Sequence, residues 1–351
     1  MEYMARPSVN RQNNPSHRSL FSGEIEMNKH LINLVGRRIV FMAKPYIRLL
    51  STSPFSTSAF SSASKQWNGG VSMVQGASRG IGLEFVKQLL ERKGEGRVIA
   101  TCRNPNGAAG LLELKDKFSD RLDIHPLDLT IESTIEESAN AVRDKYGSLN
   151  LLINASGILS IPDILQPETT LTKVQRSSML LAYDINAVGP ILVIKVPSLD
   201  FSFYNVFAPR FNKLDLTILY EQHMWPLLKA GGGCGTGKDF AIVANLSARV
   251  GSIGDNALGG WHSYRSSKTA LNQLTKTVSV EFARKKDPII CLLLHPGTVD
   301  TDLSKPFQKN VAKDKLFTKE FSVQKLLSII DNAKRTDNGK FFAWDGQSIP
   351  W

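Results

Sequence analysis

Two residues with complementary proton chemistry, Tyr264 and Lys268, lie four positions apart in a stretch with helical character. Residues at this spacing share one face of a helix, so the Lys268 ammonium can lie near the Tyr264 hydroxyl. A free phenol has a pKa of about 10 and is a poor proton shuttle near neutrality. Because a neighbouring positive charge favours the phenolate, the pair is suited to exchange a proton with a reacting oxygen.

The apolar pattern predicts the scaffold that would position this pair. Short β-type runs alternate with stretches long enough for crossover helices. The predicted strands are Val71–Val74, Arg97–Thr101, Leu122–His125, Leu151–Ile153, Phe240–Val243, Pro288–Leu294 and Lys340–Trp344. Repeated units of this kind form a mostly parallel sheet with helices on both faces. The sequence therefore predicts a single doubly wound α/β domain with a mostly parallel seven-stranded sheet, whose ligands lie beyond the carboxyl ends of the strands.

The first of these strand ends carries a glycine-rich turn. It reads Gln75-Gly76-Ala77-Ser78-Arg79-Gly80-Ile81-Gly82 and runs from a strand into a helix. We expect Gly76 to permit the tight turn, Gly80 to let the backbone approach a pyrophosphate, and Gly82 to allow close packing of the helix. Free N–H groups at the helix amino terminus favour phosphate, so the turn predicts a dinucleotide site.

Further motifs follow the later strands in a fixed order. They are Asp128, Asn154-Ala155-Ser156-Gly157, Asp184-Ile185-Asn186-Ala187, Tyr264-Arg265-Ser266-Ser267-Lys268 and Pro296-Gly297-Thr298-Val299-Asp300-Thr301. With the Gly-x-x-x-Gly-x-Gly spacing of the first turn, they resemble the short-chain dehydrogenase/reductase family, which has a Rossmann fold. The resemblance runs from Val71 to about Trp344, and the segments around Asn245–Ile253 and Trp261–Arg265 look like its C-factor and sniffer-like carbonyl reductase branch.

The resemblance implies a role for each matched residue. Tyr264 would give its proton to a substrate carbonyl oxygen as hydride arrives, Lys268 would also grip the nicotinamide ribose, and Asn186 would stabilise a water and proton relay. Asp128 matches the residue that contacts adenine. The full set of expected cofactor contacts is Gly76, Ser78, Arg79, Gly80, Ile81, Gly82, Arg103, Asp128, Asn154, Ala155, Lys268, Pro296, Gly297, Val299 and Thr301. No metal ligand is expected.

The position of the serine that usually polarises the carbonyl in this family is occupied by another residue type. The family shows Asn-x-Ser-Ser after the fifth strand, whereas Asn245-Leu246-Ser247-Ala248 has alanine at the second serine position. Ser247 is the first candidate for this role and Ser252 the second, and an ordinary loop serine remains the alternative for either.

Charge after the second strand bears on the choice of cofactor. An NAD enzyme places an acid about 20 residues past the glycine turn to accept the ribose hydroxyls. This strand ends in Thr101-Cys102-Arg103 without an acid, and Arg79 and Arg103 are both placed for a 2′-phosphate, which guanidinium groups bind bidentately. The sequence favours NADP(H), with NAD(H) as the alternative.

Composition argues against other classes of partner. Residues 1–66 hold nine Lys or Arg against three Glu, so they carry +6 of the net charge of +11. The rest has no basic run dense enough to follow a phosphate backbone, and we expect no nucleic-acid partner. Cys102, Cys234 and Cys291 are odd in number and widely spaced, so neither a disulfide framework nor a zinc site is expected.

The amino-terminal segment, 1–66, has the composition of an organelle transit peptide and is predicted to be a disordered extension. Met27 to Asn68 contains no Asp or Glu, and Ser and Thr crowd Ser51 to Ser64. The apolar stretch Leu31–Leu50 is interrupted by charges and a proline, so no membrane span is expected. We expect import into a mitochondrion or plastid, with an extended cytoplasmic enzyme as the alternative.

A segment at 196–222 interrupts the helix that begins near Ile185. Its 27 residues include six aromatic ones and two prolines, which break helices. Val codons begin with GT and a Gln codon can end in AG, so Val196 to Gln222 is interpreted as an in-frame retained intron. A substrate lid is the alternative, since long loops in compact domains are often functional.

Residues 67–351 are thus predicted to form an NADP(H)-dependent oxidoreductase domain that reduces an aldehyde or ketone. The alternative is a nucleotide-binding scaffold or signalling protein of the same fold, weakened by Ala248 and by the insertion. The resemblance implies a homodimer or homotetramer, which the insertion at 196–222 would disturb.

Overall fold

The structure, a computed structural model, describes residues 69–195 and 223–351. All of them belong to the second of the two units into which the chain divides, Ala63–Trp351. The predicted transit-like extension, 1–66, and the predicted insertion, 196–222, lie outside the described residues.

Seven parallel strands form the central sheet, in the order β3-β2-β1-β4-β5-β6-β9. They are β1 Val71–Gln75, β2 Arg97–Cys102, β3 Leu122–Pro126, β4 Leu151–Asn154, β5 Ala241–Leu246, β6 Ile289–His295 and β9 Lys340–Ala343. Each coincides with a predicted strand to within a few residues, and the predicted doubly wound fold is confirmed. A separate two-stranded sheet, β7 Thr298–Val299 with β8 Leu316–Phe317, was not predicted, because two residues are too few to show a periodic pattern.

Helices cover both faces of this sheet. They are α1 Gly80–Glu91, α2 Ala109–Lys117, α3 Glu132–Tyr146, α4 Arg176–Tyr183, α5 Gly189–Ile194, α6 Trp225–Gly231, α7 His262–Lys285 and α8 Lys319–Asn332. Every residue of β4 and β5 is buried, as expected for central strands packed on two sides.

Two apolar cores separate the sheet from its helices. On one face, side chains of α1, α2 and α8, such as Phe85, Leu111 and Leu326, pack on the strands. On the other face, α3, α5, α6 and α7 contribute the second core, which includes Val193 and Phe282. The order of the strands reverses between β1 and β4, and this is where such sheets bind their ligands.

Helix α4 continues into α5 through a π-helical turn at Asp184–Val188. Pro190 has no N–H to donate to the carbonyl of Asn186, four residues earlier, and such a gap accompanies a local widening of a helix. Isolated π-turns are frequent at functional sites, and this one contains Asn186.

Among the described residues, the same run, Arg176–Ile194, has the length and apolar composition that a membrane-spanning helix would need. It packs within this domain, since α4 lies against α7 and α5 belongs to the second core. The core helices of globular proteins can share that length and composition.

Candidate active site

Helix α7 brings Tyr264 and Lys268 to the carboxyl ends of β4 and β5. The Nζ atom of Lys268 lies 5.9 Å from the centroid of the Tyr264 ring, so the two side chains share a helix face as predicted. Lys268 is 3% exposed and donates to the carbonyl oxygen of Leu246, at the end of β5, across 2.9 Å. Among the described residues this is the only hydrogen bond that its ammonium makes, which leaves two of three N–H donors for a ligand.

Burial dominates the proton affinities of this pair. It lowers the pKa of Lys268 to about 8 and raises that of Tyr264 above its usual value, because both charged forms lose hydration. The sequence-based expectation, that the ammonium pulls the tyrosine pKa down, is outweighed here by burial. Tyr264 therefore holds its proton at neutral pH, the form needed to donate a proton to a carbonyl oxygen.

Asn186 is held beside this pair and is fully buried. Its Nδ2 donates to the carbonyl oxygen of Ile158 and to Oγ of Ser267, and its Oδ1 accepts from the N–H of Ile158. A methyl group at Gly157 would lie only 3.3 Å from Lys268 Nζ and 3.4 Å from Asn186 Oδ1. The segment after β4 therefore passes so close to both side chains that glycine fits best there.

The glycine turn has the geometry of a phosphate cradle. Gly76 has φ +82°, and a side chain on it would collide with Oγ of Ser156, which accepts a hydrogen bond from Gln75. A Cβ on Gly82 would meet the carbonyl of Gly76, so α1 packs directly on the turn, as predicted. No side chain caps the amino terminus of α1. Its free N–H groups can therefore receive an anion.

The loop after β6 lies beside this turn. A Cβ on Gly80 would lie 3.7 Å from Cγ2 of Thr301, and Arg79 Nη1 lies 3.4 Å from Oδ2 of Asp302. Val299 is buried in β7. Within the motif, Pro296 accepts a hydrogen bond from Ser322 of α8, and Gly297 lies against the ring of Phe317.

The remaining predicted cofactor contacts line the same edge of the sheet. Arg103 follows β2 and is exposed, and Ser78 and Ile81 are half-buried in the turn. Asp128 follows β3, and its Oδ1 accepts two hydrogen bonds from Thr130.

Asn154 and Ala155 follow the same edge at the end of β4. Asn154 is buried and donates to Oδ1 of Asn245 on β5 across 2.8 Å, so it ties two central strands together. The N–H of Ala155 donates to the carbonyl of Gln75. All residues of the predicted set that follow a strand thus lie at the carboxyl edge.

The two candidate serines have different surroundings. Ser247 is buried and donates to Oδ1 of Asn272 across 2.6 Å, which uses its hydroxyl proton. Ser252 accepts a hydrogen bond from the N–H of Asp255, and its own proton has no acceptor among the described residues. The loop that carries Ser252 packs against the catalytic turn of α7, since a Cβ on Gly251 would lie 2.8 Å from Cβ of Lys268.

Three residues near Tyr264 were given no role in the sequence analysis, because their spacing in the chain does not link them to the catalytic pair. The carboxylate of Glu168 is buried and accepts from both the N–H and the hydroxyl of Ser263, at the start of α7. Trp261 precedes α7 with φ +51°, and its ring lies 6.4 Å from that of Tyr264 and 4.9 Å from that of Phe307. The pair Gly259-Gly260 before Trp261 is the one local sign of an unusual backbone here.

These residues fit a nicotinamide dinucleotide. The glycine cradle and the uncapped amino terminus of α1 suit a pyrophosphate, and Lys268 is a buried cation with unused donors. The described residues contain no group of three or more His, Cys, Asp or Glu placed to hold a metal ion.

Comparison with known proteins supports this assignment. The profile of a family described as short chain dehydrogenase matches residues 71–198 and 243–312, which is more than half of the chain. An uncharacterized oxidoreductase of Schizosaccharomyces pombe is 30% identical over 291 residues, covering 80% of this chain and 98% of that protein.

Two solved structures of carbonyl reductases share the fold. The NADPH-bound carbonyl reductase from chicken fatty liver is 31% identical with a TM-score of 0.64, and covers 81% of this chain and 100% of its own. The carbonyl reductase Sniffer of Drosophila melanogaster is 26% identical with a TM-score of 0.63, with the same coverage. The likeness to sniffer-like carbonyl reductases that the motifs predicted is thereby confirmed.

Proposed function

The chain belongs to the short chain dehydrogenase family and is an oxidoreductase, and from that premise we propose that it reduces an aldehyde or ketone to an alcohol with NADPH. The observation that carries the proposal is the convergence of Tyr264, Lys268, Asn186 and Gly157 at one end of the sheet. A half-buried tyrosine that keeps its proton beside a buried cation is suited to donate a proton to a carbonyl oxygen.

In this proposal the chain's residues handle the proton. NADPH, held by the glycine turn and by Lys268, would supply the hydride that reduces the carbonyl carbon. Tyr264 donates its phenolic proton to the carbonyl oxygen as the C=O π bond becomes a C–OH group. Lys268 stabilises the resulting phenolate, whose proton is restored from solvent by way of a water held near Asn186. Lys268 would also donate to the ribose hydroxyls with its two remaining N–H groups.

We propose Ser252, rather than the first candidate Ser247, as the hydroxyl that polarises the carbonyl. The Ser247 proton is engaged by Asn272. Ser252 is also buried, but its proton has no acceptor among the described residues, and it lies on a loop packed against Lys268. Ser252→Ala should therefore reduce kcat/KM for a carbonyl more than Ser247→Ala, at equal NADPH affinity. A larger kinetic loss in Ser247→Ala would restore the first assignment.

We propose NADP(H) as the physiological cofactor. Arg79 and Arg103 are exposed at the edge where the adenosine end of a dinucleotide would lie, and no acid follows β2. The glycine turn, Asp128, Asn154, Ala155 and the Pro296–Thr301 loop would complete the contacts, with NAD(H) as the weaker alternative.

Turnover of a panel of aldehydes and ketones, followed by the loss of NADPH absorbance, tests the proposal. Tyr264→Phe should lower the rate by about 10²- to 10⁴-fold, the usual contribution of a positioned general acid. Tyr146→Phe is the matched control, because this tyrosine lies on α3 and contacts Asp123 instead. Ala248 favours the alternative, a nucleotide-binding scaffold, which predicts NADPH binding without turnover of any carbonyl.

We also propose import into a mitochondrion or plastid, on the transit-like composition of residues 1–66. Fusion of these residues to a fluorescent protein should direct it to one of these organelles. Diffuse cytoplasmic fluorescence would support the cytoplasmic alternative.

A further inference from the structure

A cavity of about 320 Å³ lies at the amino ends of the strands, at the opposite edge of the sheet from Tyr264. Its lining includes Ser72 near the start of β1, Val98 of β2, Leu151 of β4 and Ile242 of β5. The volume is at the lower end of the range usual for small-molecule pockets, about 300–1,000 Å³. Because the glycine turn and the catalytic pair lie at the carboxyl edge, this cavity is separate from the proposed cofactor site.

Basic side chains dominate the charged groups that line this cavity. Among the described residues of the lining, Asp331 is the one acid, against five basic residues, which are Arg92, Lys93, Arg97, Arg121 and Lys238. The lining therefore carries a formal charge of +4. The carboxyl ends of α1 and α8 also lie at this edge, and their dipoles offset roughly one positive charge. A clear excess of positive charge remains, which favours an anionic ligand.

Three of these cations keep hydrogen-bond donors for a ligand. Arg92 is paired with Asp331, but Lys93, Arg121 and Lys238 form no ion pair with any described residue. The side chains of Arg121 and Lys238 each donate one hydrogen bond, in both cases to a backbone carbonyl. This leaves both terminal nitrogens of the guanidinium and two N–H groups of the ammonium. Positive groups gathered without counter-charges repel one another, and an anion bound between them would remove that repulsion.

A glycine-rich loop forms one side of the cavity. Residues 232–238 read Gly-Gly-Cys-Gly-Thr-Gly-Lys and connect α6 to β5, and Gly235, Thr236 and the lysine line the cavity. The buried Asn150 fixes this loop, because its Nδ2 donates to the last carbonyl oxygen of α6 and to that of Cys234. The N–H groups of Gly235 and Thr236 donate to no acceptor among the described residues. Available backbone N–H groups beside a lysine suit a phosphate group.

We propose that this cavity binds a small polyanion with linked phosphate groups, held by Lys93, Arg121, Lys238 and the N–H groups of the loop. A guanidinium binds two phosphate oxygens at once, and an ammonium adds a point charge. Two or three linked phosphates carry roughly three to four negative charges near neutral pH, close to the positive excess of the lining. Free oligophosphates and nucleotides share this chemistry, and apolar lining residues such as Leu151 and Phe240 could contact a base. The inference does not depend on the proposed carbonyl reduction.

Calorimetric titration of tripolyphosphate and of ATP into the full, NADPH-saturated chain tests the inference. Saturation with NADPH keeps both probes from the glycine turn, and one binding site per chain is expected. Arg121→Gln combined with Lys238→Gln should weaken the binding at least about tenfold. Lys285→Gln combined with Lys340→Gln is the matched control, because it removes the same charge from α7 and β9, outside the cavity, and should leave the binding unchanged. Tighter binding of ATP would identify the ligand as a nucleotide, and equal binding of both probes would identify it as an oligophosphate.

Lys93→Glu is a second variant in case the first double variant does not fold. Its side chain is exposed and makes no hydrogen bond to any described residue, so the change should not disturb folding. It should weaken the binding of tripolyphosphate several-fold, because it places a negative charge at the cavity. The absence of saturable binding to the unaltered chain, or equal weakening in the two double variants, would overturn the inference. If the first double variant does not fold, unchanged affinity in Lys93→Glu would overturn it.

Discussion

The N–H of Met224 donates a hydrogen bond of 3.2 Å to the carbonyl oxygen of Val193, although the two residues lie 31 positions apart in the chain. If Lys195 were joined directly to His223, this would be the ordinary i to i+4 bond of an α-helix. The residues on either side of the 196–222 segment also contact one carboxylate, because Oε1 of Glu132 lies 2.5 Å from Lys195 Nζ and 3.1 Å from His223 Nε2. Helices α5 and α6 thus have the register of one continuous helix that is interrupted in sequence between Lys195 and His223.

Deletion of residues 196–222 is therefore expected to give a folded protein. Removing these 27 residues should lower the entropic free-energy cost of bringing Lys195 and His223 together by roughly 2–3 kcal/mol, which should raise the melting temperature by about 5 °C. The shortened chain should also aggregate less, because the deleted residues are rich in aromatics. Calorimetric melting and light scattering on both proteins check this.

A chain in which 196–222 is replaced by Gly and Ser residues of equal number separates the effect of the segment's length from the effect of its sequence. The retained-intron interpretation requires that the deleted chain reduce carbonyls at least as fast as the full chain. If the deletion melts at a lower temperature, or loses an activity that the full chain has, the lid interpretation replaces it.

Cofactor preference should depend on the two arginines of the adenosine edge. Arg79→Ala combined with Arg103→Ala should raise the Kd for NADPH by about 10- to 100-fold and leave that for NADH nearly unchanged, since only NADPH carries the 2′-phosphate. Fluorescence titration with both nucleotides measures the two constants.

Arg92→Ala is the control for this experiment, because Arg92 is a partly exposed arginine paired with Asp331 in α8. An equal loss of affinity for NADPH and NADH in the double variant would exclude a role in phosphate recognition. In that event the ion pair of Arg79 with Asp302 would be its main contribution.

The strands and the catalytic pair were predictable because their signals are local. A buried parallel strand is a short apolar run, and Tyr264 and Lys268 have the i, i+4 spacing of one helix face. Their motifs also follow strands whose carboxyl ends must meet at one edge. The order of the strands was not predicted, because no local pattern specifies which strands are neighbours in the sheet.

Contacts between distant segments could not be predicted in this way. Nothing in the sequence indicates that Glu168 meets Ser263, which is 95 residues away, or that Phe307 meets Trp261. The engagement of the Ser247 hydroxyl by Asn272 was equally hidden, because it depends on how α7 packs against the end of β5. Ser247 was ranked above Ser252 only because it lies in the motif that follows the fifth strand.

NADPH affinity should fall as the pH rises through the pKa of Lys268, which burial lowers to about 8. Below that pH the ammonium is charged and can donate to the ribose hydroxyls, and above it the charge is lost. The Kd for NADPH should be constant below about pH 7.5 and rise above pH 8. In Lys268→Met it should be higher and independent of pH over this range, and a flat profile in the unaltered protein would rule out Lys268 as the titrating group.

The same burial penalises the charged form of Lys268, so this residue lowers the free energy of unfolding when no cofactor is bound. Its pKa in the folded state, about 8, is below its ordinary value of 10.5, so the unfolded chain binds more protons between these pH values and stability rises with pH there. Lys268→Met should therefore melt at a higher temperature than the unaltered protein at pH 7, and the difference should narrow between pH 8 and 10.5. A difference that widens with pH would contradict this assignment.

Glu168 is expected to position the helix that carries Tyr264. Its carboxylate accepts from the N–H of Ser263 across 3.2 Å and from the Ser263 hydroxyl, so it caps the amino terminus of α7 from a loop that follows β4. The side chain of Trp261 provides no such cap. Because Glu168 is only 3% exposed, its hydrogen bonds should stabilise the fold by roughly 1.5–3 kcal/mol.

Glu168→Gln should lower the melting temperature and reduce kcat for a carbonyl several-fold, while the Kd for NADPH stays unchanged because the residue does not face the glycine turn. A merely structural residue would affect binding and turnover together, so the separation of the two measurements identifies positioning. Glu168→Gln combined with Ser263→Ala should cost much less than the sum of the single effects, since both remove the same contact. Additive losses of stability and kcat in this double-mutant cycle would show that Glu168 acts through some other contact, and the proposed cap would then have to be abandoned.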